Sequence, residues 1–165
     1  MLKYCLGLYL LLFAYLPSQA FDEPGHKIVA QVAMTYLTDN SKAELQRLFG
    51  EVYRQVFIDA VGLPFKKEQS PVNHWMKNLH FVYFTPEHPK FEAAVHCPSN
   101  QCSVGAVLEA RKVLASNQFS DKQKKQAMQY LIHYIADLPL PVNAGFKQDR
   151  SAQDIELQKG EIKVS

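Results

Sequence analysis

Apolar residues recur along the chain at the spacing of amphipathic helices. A first repeat at i, i+4 and i+8 predicts a helix over about residues 26–37, and a second stripe predicts another over residues 53–60. Asp59 lies at the edge of that second stripe, which ends before Gly62 and Pro64. The apolar positions assigned to the first stripe are Ile28, Val29, Val32, Ala33, Tyr36 and Leu37.

Capping and breaking residues mark three further helices. One is predicted over residues 41–49, with Asn40 or Ser41 as its N-cap and Gly50 as its stop. Another covers about residues 104–115. The last begins with a capping-box pattern at residues 120–123, runs to residue 138 and ends before two prolines, Pro139 and Pro141.

The remaining segments lack helical periodicity. Residues 63–73 are predicted to form a loop because they hold two prolines and several charges, and residues 79–84 are predicted to be extended or buried. Residues 155–164 resemble a small hairpin. With no internal repeat and no glycine-rich phosphate loop, the pattern predicts an all-α, mainly helical fold.

The first twenty residues have the features of a secretory signal peptide. Lys3 gives a positive start, residues 4–16 are uncharged and apolar, and small residues allow cleavage after Ala20. The apolar run is shorter than the roughly 20 residues of a membrane-spanning helix, although an uncleaved anchor is the alternative. We therefore expect a signal peptide over residues 1–20 and a secreted or periplasmic domain over residues 21–165, with no membrane attachment after cleavage.

Composition narrows the function further. The chain has 165 residues, of which 47% are hydrophobic and 21% charged, and this excludes a disordered protein. The net charge of +2 includes Lys3, so the mature chain has no basic field suited to duplex DNA. No feature of the sequence indicates a protein partner. In an oxidising compartment, the two cysteines of the mature chain, Cys97 and Cys102, are expected to pair.

The last predicted helix contains two strongly polar residues in its apolar second half. His133 and Asp137 are four residues apart, which places them on one face. A buried carboxylate needs a partner, which is a cation, a donor network or a metal. The alternative is structural: His133 and Asp137 could simply be hydrogen-bond partners of each other or of a neighbouring helix.

Three other residues change this interpretation when they are taken together. His26 follows the predicted new N-terminus by five residues, Asp59 is an acid on an amphipathic helix, and His80 interrupts an apolar run. Each alone has an ordinary structural explanation. Combined with His133 and Asp137, they supply the oxygen and imidazole ligands that zinc accepts.

Three motifs in this order resemble a known family. They are FDEPGH at residues 21–26, LHF at residues 79–81 and LIHYIAD at residues 131–137, with Pro141 and Gly145 beyond them. The chain from residue 21 to about residue 164 is similar to the secreted zinc-dependent single-strand nucleases of the mung-bean-nuclease type. These share the mainly helical fold of zinc phospholipase C.

The resemblance implies a zinc phosphoesterase acting on single-stranded DNA or RNA and on 3′-nucleotides. One zinc ion would be held by Asp59, His80, His133 and Asp137, and Asp59 is also the candidate catalytic residue. A second would be held by the main-chain amine and carbonyl of Phe21, by His26 and by the shared Asp137. Phe81 would stack on a base, and Cys97 and Cys102 would form the short-loop disulfide of the family.

The sequence also departs from the family pattern. Phe21 replaces a tryptophan, Pro139 and Asn143 replace histidines, Gly62 replaces an arginine and Tyr83 replaces an acid that reads the base. The third zinc ion would lose a ligand at Asn143, and its other two ligands are expected beyond Ser165, in a helix that a C-terminally truncated chain lacks. We therefore expect two zinc sites and weakened or lost activity. The alternative is a non-catalytic remnant that binds zinc or nucleotides.

Overall fold

Helices form most of the structure, a computed structural model that describes residues 23–149. The mainly helical class is confirmed. The predicted signal peptide, Phe21 and the predicted hairpin over residues 155–164 lie outside the described residues. The α-helices are α1 (Glu23–Tyr36), α2 (Asp39–Phe49), α3 (Tyr53–Asp59), α4 (Leu63–Glu68), α5 (Ala93–His96), α6 (Ser103–Ala115) and α7 (Asp121–Asp137). The strands are β1 (Val82–Phe84) and β2 (Ala144–Phe146), and 3-10 segments cover Gly50–Val52, Ala60–Gly62, Pro71–His80, Pro98–Asn100 and Lys147–Asp149.

The buried face of helix α1 overlaps only in part with the stripe that the apolar repeat predicted, of which Ala33 and Leu37 pack half-buried against the core. Its buried residues are His26, Ala30 and Met34, whereas Ile28 and Val32 of the predicted stripe are more than half exposed. The buried face packs against α3, the Ala60–Gly62 segment and α7. Small side chains such as Ala30 allow this close approach, and the histidine lies on the same face.

The ends of α2 illustrate how local hydrogen bonds set helix boundaries. Its N-cap is Thr38, ahead of the predicted Asn40 or Ser41, because the Thr38 hydroxyl accepts a hydrogen bond from the Ser41 amide over 3.2 Å. The helix ends at Gly50 as predicted. Gly50 has a φ of +71°, a left-handed value that glycine adopts without steric cost.

The prediction of a loop over residues 63–73 was wrong. This segment forms α4, followed by the long 3-10 segment Pro71–His80. Pro64 and Pro71 both lie in the first turn of their helical segment, where a missing amide hydrogen breaks no helical hydrogen bond. The prolines therefore begin helical segments here and do not interrupt them.

Helix α7 packs against several of the other helices and contributes Met128 and Ile132 to the main core. Its predicted capping box is confirmed, since Ser120 and Gln123 cap each other's backbone amides. It packs against α6 along its length and also against α1, α4 and the Ala60–Gly62 segment. The core that it closes consists of Ala30, Met34, Leu45, Phe57, Ala60, Val61, Met128 and Ile132.

A short parallel sheet pairs β1 with β2 beside the C-terminal end of α7. Val82 pairs with Ala144, and the Val82 amide donates a hydrogen bond to the Asn143 carbonyl over 2.8 Å. The expected disulfide between Cys97 and Cys102 is present and packs against Val82. This arrangement fixes the start of β1 next to the last turn of α7. Among residues 23–149, no helix is long and apolar enough to cross a membrane.

Candidate metal centre

Four buried side chains from three parts of the fold meet at the C-terminal half of α7. His133 and Asp137 come from α7 itself, His26 from the first turn of α1, and His80 from the end of the 3-10 segment before β1. Their exposed fractions are 0%, 2%, 1% and 7%, so water reaches none of them freely. A cluster of titratable groups this deeply buried requires a specific arrangement of partners.

Asp137 connects the three histidines. Its Oδ1 lies 2.9 Å from Nε2 of His26, and its Oδ2 lies 2.8 Å from Nδ1 of His80 and 3.5 Å from Nε2 of His133. Oδ1 therefore faces His26, whereas Oδ2 faces His80 and His133. One carboxylate that faces ligands on both sides can bridge two metal positions.

The atoms on the Oδ2 side form a compact triangle. Nε2 of His133 lies 3.3 Å from Nδ1 of His80, which closes the triangle begun by the two contacts to Oδ2. Zinc with tetrahedral ligands at about 2.0–2.2 Å separates its ligand atoms by about 3.3–3.6 Å. Of the observed separations, 3.3 and 3.5 Å fall within this range, and 2.8 Å is shorter. Two imidazoles and one carboxylate are ligands that zinc accepts, and two of their three separations match those of a tetrahedral site.

A second set of ligand atoms includes His26 and shares His133 and Asp137 with the first. One ligand atom each from His26, His133 and Asp137 lie within 4.8 Å of one another. The rings of His26 and His133 are stacked, with centroids 4.8 Å apart and planes 15° from parallel. The imidazoles are therefore packed in fixed orientations around the carboxylate.

Acceptors on the far side of two of the imidazoles fix which nitrogen faces the cluster. Nδ1 of His133 donates to the backbone carbonyl of Val61 over 2.6 Å, and Nε2 of His80 lies 2.9 Å from Oε2 of Glu68. Metal-binding histidines in proteins almost always have their second nitrogen held in this way. The outer contacts therefore match those of a metal centre.

Burial and charge set the protonation states in the cluster. Burial lowers the pKa of His133 to about 4, although the negative charge of Asp137 opposes this shift, so the ring is neutral at neutral pH. Burial disfavours the charged form of Asp137, but hydrogen bonds from His26 and His80 outweigh it and lower the pKa of this carboxyl. Burial also lowers the pKa of His80, and the contacts with Asp137 and Glu68 outweigh that effect and raise it. His133 as a neutral imidazole and Asp137 as an ionised carboxylate are therefore in the forms that bind metal, whereas His80 has to lose a proton to bind one.

Asp59, predicted as a ligand and catalytic residue, lies apart from these atoms. Its side chain is 52% exposed, accepts a hydrogen bond from Gln55 over 2.8 Å and lies 3.7 Å from the amine of Lys27. The structure brings together His26, His80, His133 and Asp137 but does not bring Asp59 to them. The roles assigned to Asp59 stay predictions, as does the ligand role of Phe21, which lies outside the described residues.

The residue predicted to stack on a base follows His80 directly. Phe81 is half-buried, and its ring stacks on that of Tyr83 with centroids 5.4 Å apart and planes 10° from parallel. Phe81 directly precedes β1 and Tyr83 lies within it. Because the two residues are two positions apart in extended backbone, their side chains lie on the same face. They form an aromatic pair beside the metal centre.

Sequence reasoning missed two partners of the cluster. Glu68 was placed in a predicted loop and given no function, and Asn143 was noted only as a poor replacement for a ligand. In the structure, the side-chain amide of Asn143 donates a hydrogen bond to Oδ1 of Asp137 over 3.0 Å. No local sequence signal marks either residue, because each contact joins positions that only the tertiary fold brings together.

Comparison with known proteins adds independent information. The family model described as S1/P1 Nuclease matches residues 21–163. Endonuclease 3 of Arabidopsis thaliana is 23% identical over 143 residues, which cover 83% of this chain and 48% of that protein. The chain therefore spans about half the length of this relative.

Proposed function

The chain belongs to the S1/P1 nuclease family, and from this membership we propose that it is a zinc-dependent phosphoesterase. Its substrates would be single-stranded DNA or RNA and 3′-nucleotides. Family membership supports a nuclease-type function in general terms. The observation that carries the zinc proposal is the meeting of three buried histidines around the two oxygens of Asp137.

Two zinc positions are proposed on the two sides of Asp137. His80, His133 and Oδ2 of Asp137 would hold the first ion. Three protein ligands with a fourth position for a water or substrate oxygen are typical of a catalytic zinc site. Asp59, the predicted fourth ligand, lies outside this set of three. His26 and Oδ1 of Asp137 would hold the second ion, together with the main-chain amine of Phe21 once the signal peptide is removed.

The protein residues would position the reacting groups. When bound, zinc supplies a Lewis acid that lowers the pKa of a bound water and offsets negative charge on the phosphate. The imidazoles of His80 and His133 keep their orientation because neighbouring acceptors hold their outer nitrogens. The aromatic pair of Phe81 and Tyr83 would stack on exposed bases. Stacking of this kind tolerates any base and needs unpaired bases, which favours single strands.

We also propose that the protein is secreted or periplasmic. The disulfide between Cys97 and Cys102 supports an oxidising compartment. In such a compartment a signal peptidase would expose the amine of Phe21. The same processing step would then complete the second zinc position.

One observation favours the alternative of a non-catalytic zinc- or nucleotide-binding protein. Asn143 lies where the family resemblance implies a histidine ligand, and its amide contacts Asp137 directly. An amide nitrogen that donates a hydrogen bond has no lone pair for a metal. A third zinc ion would therefore lack this ligand, and the proposed activity is weak.

Cleavage of labelled single-stranded DNA by the mature chain tests the proposal. We expect slow, zinc-dependent cleavage that is lost on chelation and in His133→Ala, with little cleavage of a duplex of the same sequence. His88→Ala is the matched control, since His88 is an exposed histidine that pairs with Glu92 outside the cluster. Zinc binding without any cleavage would favour the alternative, and the absence of zinc binding would overturn the proposal of a zinc-dependent enzyme.

A further inference from the structure

Glu68 occupies the far side of the imidazole that faces the metal centre. Its Oε2 lies 2.9 Å from Nε2 of His80, while Nδ1 of the same ring lies 2.8 Å from Oδ2 of Asp137. The Glu68 side chain is only 14% exposed. His80 is thus held between two carboxylates, one on each ring nitrogen.

The backbone around Glu68 is held by its own hydrogen bonds. Glu68 is the last residue of α4, and the Ser70 amide and the Asn73 side chain both donate to the carbonyl of Lys67 over 3.1 Å. These contacts close the end of α4 and start the 3-10 segment that carries His80. Glu68 and His80 are therefore fixed relative to each other by the segment that joins them.

The position of Glu68 decides which nitrogen of His80 can bind a metal. An ionised carboxylate only accepts hydrogen bonds, so Nε2 of His80 carries a proton in this contact. Nδ1 faces Oδ2 of Asp137 and Nε2 of His133, and by the same rule it also carries a proton while no metal is bound. A metal that displaced this proton would take the lone pair of Nδ1, while Glu68 keeps the proton on Nε2. The opposite tautomer would direct the lone pair toward Glu68 and away from the other two ligand atoms.

We propose that Glu68 is a positioning residue of the metal centre, which fixes His80 in the tautomer that binds zinc through Nδ1. This inference rests on the proposed function, because it assumes that zinc is the metal. It adds a residue that the family motifs in the sequence do not include. Loss of an outer partner of a zinc-binding histidine commonly weakens metal affinity by about 10- to 100-fold.

Zinc affinity and the His80 tautomer can be measured separately. We would titrate the mature chain, Glu68→Ala and Glu68→Gln with zinc against a coloured chelator, and record ¹⁵N spectra of the histidine rings with zinc bound. We expect about 10- to 100-fold weaker binding in Glu68→Ala. Glu68→Gln should lose less of the zinc affinity, because its amide oxygen still accepts a hydrogen bond from Nε2 of His80. In the wild-type spectrum, His80 should show zinc on Nδ1 and the proton on Nε2.

Glu92→Ala is the matched control. Glu92 pairs with Nδ1 of His88 over the same 2.9 Å, but both residues are exposed and outside the cluster. This variant should bind zinc as tightly as the wild-type chain. Its behaviour separates loss of a positioning contact from loss of any histidine–carboxylate pair.

The outcomes distinguish this inference from the function on which it rests. A wild-type chain that binds zinc through Nε2 of His80 overturns the inference, and this result needs no variant to fold. Unchanged affinity in a folded Glu68→Ala overturns it as well. A wild-type chain that binds no zinc overturns the proposed function first.

Discussion

The side-chain amide of Asn143 donates a hydrogen bond to Oδ1 of Asp137, over 3.0 Å. The backbone carbonyl of Asn143 also accepts the amide hydrogen of Val82, which joins β2 to β1. One residue therefore links the small sheet to the carboxylate at the centre of the cluster. Where the family resemblance implies a ligand, this chain has a donor that orients a ligand.

Removal of this donor should destabilise the protein. Asn143→Ala leaves Oδ1 of Asp137 with one fewer partner, and hydrogen bonds to charged groups contribute about 1.5–3 kcal/mol. We expect the free energy of unfolding to fall by about that amount, as measured by urea denaturation in the presence of a chelator. Asn117→Ala, at an exposed position, is the control and should change stability by less than about 0.5 kcal/mol. An equal change in both variants would contradict the prediction.

The bridging position of Asp137 predicts different zinc contents for two variants. Asp137→Asn removes the charge shared by both proposed positions, so we expect it to retain almost no zinc after dialysis. His26→Ala removes a ligand from the second position alone, since His26 contacts Oδ1, and should retain about half of the wild-type zinc. Atomic emission spectrometry of the dialysed proteins provides the measurement. Equal zinc contents in the two variants would show that Asp137 does not bridge two positions.

The sequence predicted the parts of the site that depend on local spacing. The capping box of α7 and the four-residue interval from His133 to Asp137 are local features, and the structure contains both on this helix, with His133 and Asp137 buried. The interval alone could not show which residues of other elements contact Asp137. The contacts of Asp137 with His26 and His80 span 111 and 57 residues, so their distances depend on the packing of α1 and of the 3-10 segment Pro71–His80 against α7.

Burial and the second layer of contacts were less predictable. Helix α1 has apolar residues on more than one face, and its neighbours selected the face with Ala30 and His26. The prolines at 64 and 71 were read as loop signals, although each begins a helical segment. Placing Glu68 in a loop concealed its contact with His80. Proline marks a boundary in the sequence, but it does not say whether a helix ends or begins there.

Reduction of the disulfide should lower stability without unfolding the helical core. The bond between Cys97 and Cys102 closes a short loop that packs on Val82, away from the core cluster around α7. The chain-entropy relation for a loop this short gives about 2 kcal/mol. We expect the double variant Cys97→Ser/Cys102→Ser to lose about that much free energy of unfolding while retaining its far-ultraviolet circular dichroism. Mass measurement after alkylation should show both thiols protected in the unreduced wild-type chain, and free thiols there would contradict the disulfide.

The catalytic rate should be low compared with family members that carry both the histidine and the arginine this chain lacks. Asn143 contributes a hydrogen-bond donor in place of a ligand, and Gly62 has no side chain to contact a phosphate. The room at Gly62 is also limited, since an added Cβ would lie 2.8 Å from the carboxyl carbon of Glu23. Loss of one group that stabilises a transition state commonly reduces the rate by about 10²- to 10³-fold. We therefore expect release of acid-soluble nucleotides from heat-denatured DNA at least that much more slowly than for such a family member at equal zinc. His133→Ala measures any contaminating nuclease, and a zinc-dependent rate within about tenfold of the comparison enzyme would show that the two proposed zinc positions are sufficient for catalysis.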